Sequence, residues 1–346
     1  MLLYSVYALL IVSAISCTSV THYQPAVNDP LLVSTEQNSQ ISLLSYNIQA
    51  IFGKDQDKLD ALLDYIDEEA YDFVVFQELF DEQAREYIMK KVNPLTYRSI
   101  VARVDYDSFP ESLFQDAGLF LMSKYPQVDL SGIMLDDEVT VSNGAVHMIL
   151  TKELSISTDF LANKSVLGSL HQISDSSYIF LFTTHVQAIG SRRQKRRQFA
   201  QIKNFIDYAV HRVLESGMVK SSGDLSVLLA GDFNTDAYDD KDINILSSEL
   251  GFPRDLHSER NPLQKEYTLI FKTFNFYKRF DYIWAYDSLG NIPLNKLEIQ
   301  SINATDVTDK DNDSVSDHMA LKASLIINKT SAEGQMGYQA QEGRAK

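Results

Sequence analysis

Apolar positions along the chain fall into short, nearly continuous runs closed by polar residues. Ile41–Ile48, Phe73–Gln77, Gly118–Ser123, Tyr178–Thr184, Ser226–Ala230, Phe280–Ala285 and His318–Ile327 are rich in β-branched and aromatic residues. That is the pattern of strands covered on both faces. Between the runs the period changes. Leu59, Leu62, Leu63 and Ile66 form one helical stripe, and Phe199, Ile202, Phe205, Ile206, Ala209 and Val213 form a longer one. Strands alternating with helices and hairpins predict a mixed α/β domain, two packed sheets with helices outside.

The two ends read differently. Leu2 to Ile15 is apolar apart from Ser5 and Ser13, and it is shorter than the roughly 20 residues a bilayer-spanning helix needs. It fits the apolar core of an export leader, with small residues in Ala14-Ile15-Ser16 for cleavage, although no Lys or Arg precedes it. Cys17 follows directly, where a lipoprotein would be acylated, behind a loose form of the usual box. The expected organisation is a signal peptide over 1–17, a polar tether over 18–40, one domain over 41–328 and a disordered tail over 329–346. The protein is then expected outside the cytoplasm, either secreted or held to a membrane through a lipidated Cys17.

Composition narrows the class. With 45% hydrophobic and 23% charged residues, 14 Gly and 8 Pro, the chain is no collagen, coiled coil or polytopic membrane protein. Its 31 basic and 47 acidic residues leave a net charge of -16, which repels polyanions at long range and argues against a general nucleic-acid coat protein. An enzyme that reaches a phosphodiester through bound metal is still compatible with it. Cys17 is the single cysteine, so neither an intrachain disulfide nor a cysteine-built zinc site exists.

The chemistry collects at strand ends. Asn47, Glu78, His185, and the pair Asp232 and Asn234 each close a predicted strand, whereas Asp281 and the pair Asp317 and His318 open one. Neighbouring strand ends lie about 4.8 Å apart, so these side chains can meet in one cleft. Each alone is more simply a turn or cap residue. Together they are complete for phosphodiester cleavage. A hard cation such as Mg²⁺ takes oxygen ligands, and Glu78 is the best candidate, with Asn47 and Asp317 beside it. His318 suits the base that deprotonates water, with Asp281 fixing its tautomer. Asp232 and Asn234 would align water and a phosphate oxygen, and His185 would donate to the phosphoryl oxygen or leaving group.

These motifs, in this order, resemble the endonuclease/exonuclease/phosphatase superfamily over most of Ile41–Ile327. The resemblance implies a four-layer α/β/β/α sandwich with two central mixed sheets, the deoxyribonuclease I-like fold, and a Mg²⁺-dependent site with Mn²⁺ or Co²⁺ as substitutes. Within it the chain most resembles the neutral, Mg²⁺-dependent sphingomyelinases. The resemblance rests on Phe76-Gln77-Glu78-Leu79-Phe80-Asp81, on the segment from Ala117 to Pro126, and on Thr184-His185-Val186-Gln187-Ala188 followed by Arg197-Gln198. It implies hydrolysis of sphingomyelin to ceramide and phosphocholine at a phospholipid surface. The alternatives are a secreted nuclease of the same fold, for which nucleic acid would be the partner, and a surface binding module without catalysis. A monomer is expected, and no feature points to a protein partner.

The chain departs from bacterial sphingomyelinases in two respects. It has no cysteine in the domain, and Tyr286–Val315 carries no aromatic after Tyr286, only Leu289, Ile292 and Leu294 near its start, where those enzymes have an aromatic-tipped hairpin. A substitute lies upstream, where Phe271, Phe274, Phe276 and Tyr277 are interleaved with Lys272, Lys278 and Arg279. The basic run Arg192, Arg193, Lys195, Arg196 and Arg197 reads either as a solvated helix start or as a phosphate-attracting patch. Asp309–Ser314 imitates the start of a Ca²⁺ loop but lacks its Gly and its closing Glu. Asn-x-Ser/Thr sequons begin at Asn163, Asn303, Asn312 and Asn328.

Overall fold

Alternation within the apolar runs sorts side chains onto the two faces of each sheet, and every face finds a partner. The computed structural model describes residues 38–328 except 51, 52, 54, 105–115, 135, 137, 143 and 154–161. The leader, Cys17, most of the tether and the tail lie outside the described residues.

One sheet holds β1 (Asn38–Ala50), β2 (Phe73–Leu79), β3 (Ser99–Val101), β4 (Phe120–Ser123), β16 (Leu297–Thr305) and β17 (Ala320–Asn328), in the order β16-β17-β1-β2-β4-β3. The other holds β5 (Thr140–Ser142), β6 (Ala145–Ile149), β7 (Ser165–Ser174), β8 (Ser177–His185), β9 (Leu225–Asp232), β10 (Arg254–Asp255) and β13 (Asp281–Tyr286), in the order β10-β13-β9-β8-β7-β6-β5. Two hairpins stand apart, β11 (Leu269–Phe271) with β12 (Phe276–Lys278), and β14 (Ser288–Leu289) with β15 (Ile292–Pro293). Each large sheet has one parallel pair, β1 with β2 and β8 with β9, among antiparallel neighbours.

Along β2, Phe73 and Val75 enter the core between the sheets, whereas Val74 and Phe76 pack outward with Leu59, Leu62 and Ile66 of α1 (Gln56–Glu69) and with Ile88 of α2 (Glu82–Lys91). Along β8, Ile179 and Leu181 face inward. Phe180 and Phe182 pack outward with Phe199, Ile202, Phe205 and Ile206 of α3 (Arg192–Glu215), and Leu246 of α4 (Asp240–Glu249) joins that outer core. Leu256, which opens α5 (Leu256–Arg260), is buried with the inter-sheet core. The result is a four-layer α/β/β/α sandwich, as the sequence implies.

Several elements lack a clear sequence pattern. Strand β7 interrupts its apolar run with Gly168, Ser169 and His171, and β16 is an edge strand in which only Leu297 and Ile302 are buried. Helix α2 hides its stripe because Arg85 occupies a buried position between Ala84 and Ile88. Leu289 and Leu294 are buried in the outer core, so that stretch is packing and not a surface lip. Asn163 is also buried and accepts from Lys152 Nζ at 3.2 Å, which withdraws that sequon from solvent. Among the described residues no helix is long and apolar enough to cross a membrane.

His147 on β6 and His171 on β7 are buried, and burial pushes both down to about 4 from an ordinary 6.5. Because the folded-state values lie below the unfolded one, the unfolded chain holds more protons between these limits. We predict that stability is full above 6.5 and falls as the pH is lowered through this window, by about 1.4 kcal/mol per pH unit for each histidine. Urea denaturation across the window should show His171→Gln flattening the slope by about one proton. An unchanged slope would remove His171 from the acid response.

Candidate active site

Inter-sheet positions change from apolar to polar towards one edge of the sandwich. The series runs Leu43, Ser45, Asn47 on β1, Val75, Gln77 on β2, Leu181, Thr183, His185 on β8, and Leu228, Ala230, Asp232 on β9. Gln77 Nε2 bridges the sheets to Thr183 Oγ1 at 3.1 Å, while Gln77 Oε1 is buried without a partner. Because β1 and β2 are parallel, as are β8 and β9, all four strands finish at this edge. Their antiparallel neighbours begin there. Asp281 pairs in register with Asp232, and Asp317 and His318 immediately precede β17.

Simple alternation would turn Glu78 outward, the side of Phe76. Instead its φ is 57°, a left-handed conformation that costs a non-glycine residue about 1–2 kcal/mol. A register shift between Asn47 and Ala50, with Gln49 at φ 49°, breaks the opposing strand at the same level. Gly231 supports the other half of the site. Its φ is 143°, and a Cβ there would lie 2.1 Å from the Thr184 carbonyl oxygen, so only glycine lets β9 approach the end of β8. Next to it Phe233 is buried against Tyr282 and Trp284 at ring separations of 5.5 and 6.4 Å, anchoring the turn between Asp232 and Asn234.

The side chains brought together form one network. Asn47 Nδ2 donates to Glu78 Oε1 at 3.1 Å and to Asp232 Oδ2 at 3.0 Å. The Asn234 amide N–H donates to Asp232 Oδ1 at 2.8 Å, and Asn234 Nδ2 to Asp232 Oδ2 at 3.3 Å. His318 Nδ1 lies 2.8 Å from Asp281 Oδ2, with its Nε2 3.8 Å from Asp232 Oδ2. His185 Nε2 lies 3.5 Å from Glu78 Oε1 and 3.8 Å from Asp232 Oδ2. Asp317 stands at the margin, where its Oδ2 accepts from Gln49 Nε2 at 3.0 Å. The Glu78 side chain is 19% exposed while those of Asp232, Asp281, His185 and His318 are almost fully buried, so the site opens past Glu78.

Burial drives the electrostatics. It raises Asp232 to about 7, more than the nearby His318 charge lowers it, with Asp281 and Glu78 adding to the rise. For His318 burial works against the charge, but Asp281 and Asp232 outweigh it and push the ring up to about 10. His185 is held well below 6.5 by burial, reinforced by the charges of Lys164 and His318. One histidine is therefore kept charged and the other neutral in the same cleft.

Glu78, His185 and Asp232 place one ligand atom each within 4.8 Å of one another, as do Asp232, Asp281 and His318. Neither ring nitrogen of buried His185 makes a hydrogen bond, and Asp281 Oδ1 has no donor. The two carboxylates of Glu78 and Asp232 share a single amide donor group from Asn47. Unpartnered buried polar atoms beside closely spaced carboxylates fit a divalent cation with oxygen ligands.

Supporting residues are harder to read from sequence. Thr268 Oγ1 accepts from the backbone N–H groups of Phe280 and Asp281 at 3.0 and 3.1 Å, and no motif marks it. Ser316 Oγ donates to the Asn47 carbonyl at 2.7 Å and accepts from His318 N at 3.1 Å. In the basic run, Arg192 pairs with Asp242 at 2.7 Å, Arg196 with Glu249 at 2.7 Å, and Lys195 Nζ donates to the Asn234 carbonyl. The run therefore braces α4 and the Asp232–Asn234 turn. The Ca²⁺-like loop turns its leading carboxylate inward, Asp309 Oδ1 accepting from Asp311 N at 2.9 Å and Asp313 N at 3.0 Å.

We predict that nitrogen-detected NMR of the metal-free protein shows His318 with both ring protons well above neutral pH, and that Asp281→Asn lowers its pKa. A His318 ring that titrates like an exposed histidine would contradict this electrostatic picture.

A sequence profile of the endonuclease/exonuclease/phosphatase family matches residues 44–318. No curated protein matches the chain in sequence. Among solved structures, zebrafish (D. rerio) TDP2 complexed with single-strand DNA product aligns at 15% identity and TM-score 0.54, covering 83% of this chain and 99% of that one. An endonuclease/exonuclease/phosphatase family protein from Bacteroides thetaiotaomicron aligns at 14% identity and TM-score 0.54, covering 85% and 100%. A Staphylococcus aureus beta toxin variant with bound magnesium ions aligns at 16% identity and TM-score 0.51, covering 82% and 99%. These likenesses agree with the layered sheets, and the profile spans the strand ends from Asn47 to His318: the chain belongs to the endonuclease/exonuclease/phosphatase family.

Proposed function

We propose that this chain is a divalent-metal phosphodiesterase that works at a phospholipid surface and cleaves sphingomyelin to ceramide and phosphocholine. The observation that carries the lipid reading is the aromatic hairpin β11–β12. Phe274 at its turn is 81% exposed, with Phe271, Phe276 and Tyr277 partly exposed around it. The hairpin is joined directly to the catalytic edge, since Leu269 bridges to His318 and Ile270 N donates to the Asp317 carbonyl at 3.4 Å. Aromatics that enter an interface beside the cleft would hold the scissile bond at its mouth. The cations interleaved with them behave differently from the sequence expectation. Arg279 is buried against Asp255 and lies 4.5 Å from the Tyr282 ring centroid, and Lys278 pairs with Asp236 at 2.8 Å. Both of these cations are therefore engaged by carboxylates of this chain, beside exposed aromatics. An exported or lipid-anchored protein would meet such a surface outside the cytoplasm.

Glu78, with Asn47 beside it and Asp317 at the rim, would hold Mg²⁺, or Mn²⁺ or Co²⁺ in its place, which when bound would stabilise the charge that builds on phosphoryl oxygens. The chain's own groups handle protons and alignment. Of Asp232 Oδ2 and His318 Nε2, 3.8 Å apart, the carboxylate receives the proton of the attacking water, and the charged His318 ring, which the sequence suggested as the base, stabilises it as a neighbouring cation. Asp281 fixes the orientation of the charged His318 ring through Nδ1, and Asn234 and Asn47 fix the orientation of the Asp232 carboxylate. His185, with no other hydrogen bond, is available to donate to a phosphoryl oxygen or the leaving group.

A nuclease reading has one observation in its favour, the shared fold with a protein solved with a DNA product. The engagement of Arg192, Lys195 and Arg196 by groups of this chain weakens it, because a phosphate track needs such cations free. With Mg²⁺ present, the protein should hydrolyse sphingomyelin vesicles, and a chelator or His318→Ala should abolish turnover. Nicked plasmid DNA with untouched lipid would reject the lipid reading. Phe274→Ser combined with Phe276→Ser should weaken vesicle binding about tenfold or more while hydrolysis of a water-soluble phosphodiester is unchanged. Intact vesicle binding would end the role of the lip.

A further inference from the structure

Glu78 carries the bend on which the site depends, and within the site Asn47 Nδ2 holds its carboxylate at 3.1 Å. A second restraint, on the backbone, comes from behind it. Leu79 N donates to the Gly118 carbonyl at 2.9 Å, and Gly118 N donates to Asp116 Oδ1 at 2.6 Å. Arg85 Nη2 donates to Asp116 Oδ2 at 3.0 Å and also to the Leu79 carbonyl. These bonds close a ring, from Leu79 to Gly118 to Asp116 to Arg85 and back to Leu79. Gly118 makes the ring tight, since a Cβ on it would lie 3.1 Å from Glu78 Cα. Glu82 at 2.5 Å from Arg85 and Arg103 at 3.0 Å from Asp116 complete the charge balance.

Arg85 and Asp116 are 1% and 4% exposed. A buried ion pair adds little stability compared with apolar residues of the same volume, because desolvation offsets its attraction. What it supplies here is direction, two fixed hydrogen bonds to the backbone immediately after Glu78 and to the strand entry at Gly118. The side-chain hydrogen bonds of Arg85 and Asp116 go to Glu82, the Leu79 carbonyl, Gly118 N and each other, behind the strand end and away from the cleft's own network.

We infer that the Arg85–Asp116 pair is a positioning device that aims the Glu78 carboxylate and thereby sets the affinity of the site for its divalent cation. The inference rests on the reading of Glu78 as the metal ligand. Arg85→Lys keeps the charge and loses the fork. The double variant Arg85→Met with Asp116→Leu removes both charges and leaves neither orphaned, so it should remain folded where a single deletion would not.

Full-length protein titrated with Mg²⁺ alone by calorimetry tests it, with Glu78→Gln run alongside. Arg85→Lys and the double variant should weaken Mg²⁺ binding by about tenfold or more. Thermal unfolding in chelator should change little for the double variant, and activity should return towards the original kcat at saturating Mg²⁺. A folded double variant with unchanged Mg²⁺ affinity would overturn the positioning role, provided Glu78→Gln loses binding. If Glu78→Gln itself binds Mg²⁺ normally, the assignment of Glu78 as ligand fails, and this inference fails with it.

Discussion

Parallel pairing at the centre of each sheet is the constraint from which the site follows. A purely antiparallel sandwich would send alternate strand ends to opposite edges. Here β1 with β2 and β8 with β9 finish together, and their antiparallel neighbours β17 and β13 start at the same place. Both sheets therefore deliver polar termini to one edge of a shared apolar layer. The layer itself excludes water behind the site, since Leu43, Val75, Leu181 and Leu228 are fully or almost fully buried. Charged groups placed at its mouth interact more strongly than they would in water.

Concentrating Glu78, Asp232 and Asp281 in so small a buried volume is unfavourable without compensation. The chain supplies part of it through the imidazolium of His318, the Asn47 amide and backbone N–H groups at Asn234. It also accepts local strain at Glu78 and a close backbone approach at Gly231. Among the buried polar atoms left without a partner, the two nitrogens of His185 and Asp281 Oδ1 lie inside the cleft. The same balance accounts for the two histidines. His318 is surrounded by carboxylates that outweigh its burial and stays charged, whereas His185 is held neutral chiefly by burial, with the charges of Lys164 and His318 adding to it.

The strands that carry chemistry were legible because burial on both faces leaves continuous apolar runs, and a polar residue at the end of such a run stands out. Asn47, Glu78, His185, Asp232, Asn234, Asp281 and His318 were all found this way, and the structure brings them into one network. Asp317 was found by the same rule, yet its carboxylate is turned to Gln49 at the rim. Residues that act through backbone groups were not legible. Thr268 reaches Asp281 from twelve to thirteen positions away in sequence, and Arg85 sits in a helix whose stripe it disrupts. Long-range partners of this kind are fixed by tertiary approach, and no local period encodes them. The basic run shows the converse, a conspicuous pattern whose partners Asp242 and Glu249 become visible only in the fold.

The central claim is that the inter-sheet mouth is a divalent-metal site organised around Glu78. Anomalous diffraction from crystals soaked with Mn²⁺ in place of Mg²⁺ tests it most directly. A single strong peak bonded to Glu78, within reach of the Asp232–His185 cluster, is the expected result. A peak at the Asp309–Asp313 loop alone, or no peak at Glu78 in ordered crystals, would contradict it.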